Sequence, residues 1–275
     1  MMRVLLKIVF CLTFFVWANY FAYENLRPEL YGISIGIVAA LLIELGTFLY
    51  KERAFLRLYW DCWFKPFQNP NLRLTISYLC NIEVQGRYLL VKSRRIDNTY
   101  QPVGGVYKYF HPEATTDLIK MGAISDNAIP NDDVSESDLR LKLRNRKNLF
   151  KFLKWFFDSK ERERDPWREF YEELVVSGIL SENDFHYIHY ELIGEHFEPI
   201  HFDTHFKVDT FKYADIYTPK FVSDRQKDAI KKLRTTSSLE FIWATEDEIM
   251  NKVTTDGKRI ADHTYKIFYT NKLHK

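Results

Sequence analysis

The chain has 275 residues, enough for one large or two small domains, and its 39 basic and 37 acidic side chains leave a net charge of +2. That near-balance argues against an overall basic field for a nucleic-acid polymer. Only 10 Gly and 9 Pro beside 16% aromatic residues exclude disordered and collagen-like classes, and three widely spaced cysteines (Cys11, Cys62, Cys80) exclude a disulfide framework or a cysteine-based zinc cluster.

Val4–Tyr23 is a mostly apolar run broken by Lys7 and Asn19, and Tyr31–Tyr50 is a second, cleaner run with one acid, Glu44. At 1.5 Å per residue each reaches ~30 Å, the thickness of a hydrocarbon core. Residues 1–50 are therefore expected to form a transmembrane hairpin, with spans at about 4–23 and 31–50. A signal peptide is the competing reading of the first run, but Tyr20, Phe21 and Tyr23 crowd the place where small residues mark cleavage. The loop from Glu24 to Leu30 holds two acids and Arg27, whereas Arg3, Lys7, Lys51, Arg53, Arg57 and Lys65 flank the outer ends. Positive charge favours the cytoplasm, so a multi-pass topology with both termini cytoplasmic is expected. Within the second run Gly32, Gly36, Ala40 and Glu44 recur every four residues, a helix face suited to close self-association in lipid, although Glu44 could also sit at the interface without a partner. Residues 51–71 read as a juxtamembrane linker, whose aromatic and charged stretch Tyr59–Phe67 resembles an interfacial collar.

Residues 72–275 read as an α+β domain. Leu72–Tyr78 and Arg87–Lys92 are strand-like, and Gly104-Gly105 is expected to form a turn. Ser135 followed by Asp138 predicts a capped helix over Leu139–Asp158, and a second helix is expected over Trp167–Val176. Phe185–Ile193, Glu198–Phe202 and Phe206–Tyr217 are expected strands, and Asp224–Leu233, Glu246–Val253 and Arg259–Phe268 expected helices.

The chemistry-bearing segment is Arg168-Glu169-Phe170-Tyr171-Glu172-Glu173. On an α-helix Glu169, Glu172 and Glu173 fall at i, i+3 and i+4, so three carboxylates share one face, and hard cations such as Mg²⁺ take such oxygen ligands. Read alone, the run is by default a solvated acidic face. Arg94 and Arg95 could reach phosphates. His201 and His205, and His186 and His189, lack the geometry for a metal site on strands.

The segment resembles the Nudix family signature, G-x5-E-x7-R-E-U-x-E-E-x-G-U with U a bulky apolar residue, whose second half Arg168–Glu173 matches position by position. Gln101-Pro102-Val103-Gly104-Gly105 is similar to the family's glycine turn, the strand Tyr88–Val91 precedes it, and Trp243–Ile249 resembles its late Trp-strand-helix segment. The resemblance implies an α/β/α sandwich over residues 72–275, with Glu169, Glu172 and Glu173 as a metal set. The departures are specific. Gly105 to Arg168 is 63 positions (168 − 105) where the signature has 14, which predicts a helical insertion over about residues 106–166. Lys160 falls at the signature's first glutamate, with Glu161 one step away, and Gly178 follows Glu173 by five positions rather than two.

The combination with two membrane spans resembles the two-transmembrane (2TM-Nudix) effectors associated with bacterial CD-NTases in CBASS anti-phage systems. It implies an inner-membrane protein whose Nudix-like domain senses a cyclic oligonucleotide made by a CD-NTase, with Arg94, Arg95, Gly104, Gly105 and Arg168 on the ligand. It further implies that the protein oligomerises on activation and disrupts the bilayer, with no cofactor required and Mg²⁺ admissible. The alternative is a membrane-tethered Nudix hydrolase of nucleoside diphosphate-linked substrates, and the split signature weighs against it.

Overall fold

The computed structural model describes residues 27–64, 70–126, 136–158 and 160–268, with Thr13, Val16 and Tyr20 as isolated positions before them. The chain divides into two units, Met1–Tyr59 and Trp60–Lys275. The first apolar run and Ser135 lie outside the described residues, apart from those isolated positions, so the expected hairpin is described in its second arm only.

In the first unit, α1 (Arg27–Lys51) runs for 25 residues, about 37 Å of helix. Its Tyr31–Lys51 stretch has a mean hydropathy of 2.1 with none of it buried, and among the described residues it is the one helix long and apolar enough to cross a membrane. A second helix, α2 (Arg53–Trp63), within which the division between the units falls, is strongly amphipathic. The collar expected over Tyr59–Phe67 is helical as far as Trp63 and exposes Trp60, Trp63 and Phe64, while Lys65–Phe67 lie outside the described residues.

Among the described residues the second unit carries eleven strands in two sheets. The first sheet contains β1 (Leu72–Cys80), β5 (Gly104–Val106), β6 (Ala123–Ser125), β7 (Arg140–Leu143), β8 (His189–Asp203) and β9 (Val208–Lys220), in the order β6-β7-β1-β9-β8. On one side β1 runs parallel to β9; on the other it pairs antiparallel with β7 through Leu72–Thr75 and then with β5 through Ser77–Leu79. The second sheet contains β2 (Glu83–Val84), β3 (Arg87–Lys92), β4 (Thr99–Gln101), β10 (Phe241–Ala244) and β11 (Arg259–Ile260), in the order β10-β3-β4-β11 with β2 on β3.

Strand alternation explains how the second sheet sits. Leu89 and Val91 of β3, with Phe241 and Trp243 of β10, pack against Phe170, Leu174, Ile230 and Leu233 of two helices. Leu90, Ile242 and Ala244 point the other way, onto Leu79 of β1 and Ala214 and Ile216 of β9. With both faces covered, β3 and β10 read as nearly continuous apolar runs rather than alternating ones. The helices concerned are α5 (Trp167–Phe170), which continues as a π-helical segment over Tyr171–Val176, and α6 (Asp224–Thr235).

Several expectations are corrected here. Gly104 and Gly105 do not make a turn but lie in β5, at the edge of β1. The insertion is mixed rather than helical: α3 (Glu113–Lys120), β6, β7, a 3-10 turn at Arg146–Asn148 and α4 (Leu149–Asp158). The helix expected over Leu139–Asp158 begins only at Leu149. Its first part is β7, because Leu141 and Leu143 alternate with Arg140 and Lys142 and find an open edge on β1. Asn145 then caps the 3-10 turn by accepting from the Lys147 N–H at 3.0 Å. Arg259–Phe268 is likewise not a helix; Arg259–Ile260 pairs with β4 and only Thr264–Ile267 coils, as a 3-10 turn. Phe185 precedes β8, which continues through Glu198–Phe202 as one 15-residue strand with irregularities in its pairing to β9 at Leu192/Gly194 and Glu198/His201. α6 and α7 (Glu246–Asn251) fall where expected, each with a hydroxyl N-cap, Ser223 and Thr245.

Candidate ligand-binding site

The site is built where β5 meets α5. Gly104 has φ +155°, and a β-carbon there would run into the Tyr78 carbonyl oxygen and lie 3.0 Å from Leu79 Cα, so only glycine lets β5 approach β1 this closely. At Gly105 a β-carbon would lie 2.7 Å from Glu169 Cγ and inside its carboxyl group. The pair thus admits the Glu169 side chain against the strand, and the Gly104 N–H donates to Glu173 Oε2 at 3.0 Å.

Arg168 organises the remaining charges. Its Nε donates to Glu163 Oε1 at 3.0 Å, one terminal nitrogen reaches Glu169 Oε1 at 2.7 Å and Glu172 Oε2 at 3.7 Å, and the other donates to the Val106 carbonyl at 3.0 Å. Glu163 also accepts from the Lys108 N–H at 3.2 Å and the Tyr78 hydroxyl at 3.4 Å. Burial pushes the Glu163 carboxyl up and opposes the Arg168 charge, but Tyr78 and Glu163 hold the guanidinium above its ordinary value. Geometry identifies an ion pair.

The three glutamates of the signature do not act alike. Glu169 and Glu173 turn inward, whereas the Glu172 side chain stays 35% exposed at the rim. The π-helical turn starting at Tyr171 alters the spacing that would have put all three on one α-helical face. Burial, and next the charge of Glu169, push the Glu173 carboxyl up to about 8. Among the described residues no three carboxylate, imidazole or thiol groups are placed to hold a metal ion. Arg168 occupies the position between Glu163, Glu169 and Glu172, and Glu173 is committed to Gly104. This arrangement does not fit the divalent cation implied by the Nudix resemblance.

Beside the glutamates opens a cleft of about 610 Å³. Arg94, Arg95, Gly104, Gly105, Arg168, Glu169, Glu172 and Glu173, singled out from widely separated parts of the sequence, all line it. Its cationic residues are Arg73, Arg94, Arg95, Lys108, Arg140, Arg168, Lys212 and Lys266, against Asp138, Glu169, Glu172 and Glu173. Cations thus outnumber acids eight to four along its walls, and several of them are answered by acids just behind the lining. Arg73 pairs with Asp126, Arg140 with Asp138 at 3.6 Å, and Lys212 and Lys266 with Glu198. Arg94 and Arg95 make no ion pair among the described residues; Arg94 donates to the Glu172 carbonyl at 3.1 Å. Phe206 forms part of the far wall, with the Arg73 guanidinium 3.8 Å from its ring centroid.

Sequence reasoning missed Glu163, Tyr78, Arg73 and Arg140. Glu163 lies in a run of alternating charges, Glu161-Arg162-Glu163-Arg164-Asp165, in which nothing local distinguishes a buried acid from solvated ones. Arg140 and Arg73 face the cleft through the pairing of β7 with β1, which is a long-range fact.

The other singled-out residues lie elsewhere. Ala40 and Glu44 of α1 are exposed, and a β-carbon at Gly32 or Gly36 would meet nothing within 4 Å. His201 Nδ1 lies 3.0 Å from the Pro199 carbonyl oxygen, and Asp203 accepts from the His205 N–H at 3.0 Å, so these groups serve the β8–β9 hairpin.

The model of the SMODS-associated NUDIX domain family matches residues 71–268. No curated protein matches the chain. Among solved structures, the chain is similar to a bifunctional NMN adenylyltransferase/ADP ribose pyrophosphatase from Francisella tularensis, complexed with AMP and a Mn ion. That likeness has 11% identity and a TM-score of 0.24, and covers 88% of this chain but only 50% of the other.

Proposed function

We propose, from the premise that the chain belongs to the SMODS-associated NUDIX domain family, that it is a membrane-tethered sensor whose cleft binds a cyclic oligonucleotide and leaves it intact. The observation that carries this reading is the set of cations lining the cleft, of which Arg94 and Arg95 are free of ion pairs among the described residues. A cyclic oligonucleotide carries one negative charge per linkage and no terminal phosphate, so it needs several separated cations rather than one tight cradle. Guanidinium groups suit its phosphodiester oxygens, and Phe206 offers a ring for a base. The non-hydrolytic part rests on the glutamates, which are spent on Arg168 and on the Gly104 N–H rather than gathered around a cation.

The membrane part follows from α1 and the apolar run before it. Both termini would face the cytoplasm of a bacterial cell, placing the cleft where a CD-NTase releases its product. Ligand-driven multimerisation would raise the effective concentration of the spans. Contact through Gly32, Gly36, Ala40 and Glu44 would then convert binding into inner-membrane disruption, the effector role in CBASS defence.

The test uses the full chain in detergent, titrated with a panel of cyclic di- and trinucleotides. At least one should bind, Arg94→Gln/Arg95→Gln should weaken it by about tenfold or more, and mass spectrometry should recover it unchanged after incubation with Mg²⁺. Absence of binding across the panel overturns the sensor. Turnover of the ligand, or of a nucleoside diphosphate-linked compound, that Glu172→Gln abolishes would establish the hydrolase instead.

A further inference from the structure

The second unit has another depression, about 340 Å³, that shares no lining residue with the cleft. It lies between the C-terminal end of α6, strand β10 and the turn Thr254–Lys258, with Arg87 and Glu248 at its sides. Six of its fourteen lining residues carry a hydroxyl, and three cations (Arg87, Arg234, Lys258) face two acids (Glu248, Asp256).

The acids are already committed. Glu248 accepts from the backbone N–H groups of Thr245 and Thr255, both at 2.9 Å, and Asp256 pairs with Lys258 at 3.0 Å. Arg87 donates to the Trp243 carbonyl at 3.1 Å and lies 3.8 Å from Glu248. Arg234 differs. Its guanidinium carbon stands 5.6 Å from the Trp243 ring centroid, and it forms no ion pair among the described residues. Its Nε is buried and has no hydrogen-bond acceptor. No hydrogen bond or ion pair takes up its terminal nitrogens among the described residues, so the outer edge of the guanidinium is left for an incoming acceptor.

We propose that this depression binds the phosphate group of a small phosphate ester, such as a sugar phosphate, with Arg234 as its anchor. The planar guanidinium fork matches two phosphate oxygens. A tetrahedral phosphate directs its remaining oxygen elsewhere, towards the hydroxyls of Ser237 and Ser238 (that of Thr236 already donates to the Lys232 carbonyl at 2.9 Å), whereas a carboxylate has both oxygens in one plane and leaves those donors unused. The space exceeds a phosphate, and a hydroxyl-rich wall suits a polyol rather than an apolar body.

The experiment titrates the full chain in detergent with inorganic phosphate, ribose 5-phosphate and ribose, followed by calorimetry and phosphorus NMR. The two phosphates should bind saturably, the ester more tightly, and ribose should not bind. Arg234→Gln should weaken the ester by about tenfold or more, Arg234→Lys should retain an intermediate affinity, and the cleft variant Arg95→Gln should leave it unchanged. Ser237→Asp, at an exposed position, brings a like charge to the ligand and should abolish binding without touching the core. Unchanged affinity in both Arg234→Gln and Ser237→Asp overturns the proposal. Loss only in Arg95→Gln overturns it as well, by assigning the phosphate to the cleft, as does the absence of saturable binding by either phosphate.

Discussion

Alanine at Gly105 and alanine at Gly104 should behave differently although the positions are adjacent. At Gly105 the new β-carbon displaces a side chain: Glu169 must rotate away, giving up its 2.7 Å bond to Arg168. A charge-assisted hydrogen bond is worth about 1.5–3 kcal/mol, and the smaller unfolded-state entropy of alanine returns about 0.4–1 kcal/mol. The net loss is about 1–2 kcal/mol, or about 2–8 °C in Tm for a unit of this size. At Gly104 the new carbon meets backbone, the Tyr78 carbonyl oxygen and Leu79 Cα, and the residue is also held at φ +155°. Neither can relax without moving β1, so overpacking and backbone strain together cost about 4 kcal/mol and about 8–16 °C. Tryptophan fluorescence melts of the full chain in detergent measure both. The decisive comparison adds Glu169→Ala, which removes the group that Gly105→Ala would strike. The Gly105/Glu169 pair should then be non-additive by about 1 kcal/mol, and the Gly104/Glu169 pair additive within about 0.5 kcal/mol. Additivity at Gly105 would refute the close approach of Glu169 to the strand.

Glu173 gives the pH dependence. Burial and Glu169 raise its carboxyl from 4.5 to about 8, so the folded state binds a proton that the unfolded state releases between those values. Stability should fall as pH rises from about 5 to about 8 and level off above, by at most roughly 5 kcal/mol. Glu173→Gln keeps an acceptor for the Gly104 N–H, and its Tm should be flatter over that range; parallel slopes for the two proteins would contradict the assignment. For the membrane part, Gly36→Leu should abolish ligand-dependent dye leakage from liposomes while leaving ligand affinity intact, and Glu44→Gln tests the acid separately. Full leakage by Gly36→Leu would remove the stripe from the mechanism.

How much of this was legible in the chain depends on the range of the interaction concerned. β3 falls on Arg87–Lys92 to the residue, and α6 and α7 start where a hydroxyl N-cap precedes a periodic pattern, because strand alternation and helix capping are set within a few residues. The segment Arg168–Glu173 was equally visible, and so was the apolar length of α1. Tertiary structure decided the rest. Arg140–Leu143 carries a pattern that a helix could also have used, and becomes β7 between β6 on one side and, on the other, the edge that β1 offers from some 68 positions earlier (Leu72 to Arg140). The two glycines read as a turn locally, but β1 and the Glu169 side chain make them a close-packed strand. Glu163 gains its role from Arg168, Tyr78 and the Lys108 N–H, which share no sequence neighbourhood with one another. A net charge of +2 says nothing of a cleft lined by eight cations, since a sum over the chain discards position, and folding is what draws cations from β1, β7, β9 and the loop after β3 towards one space.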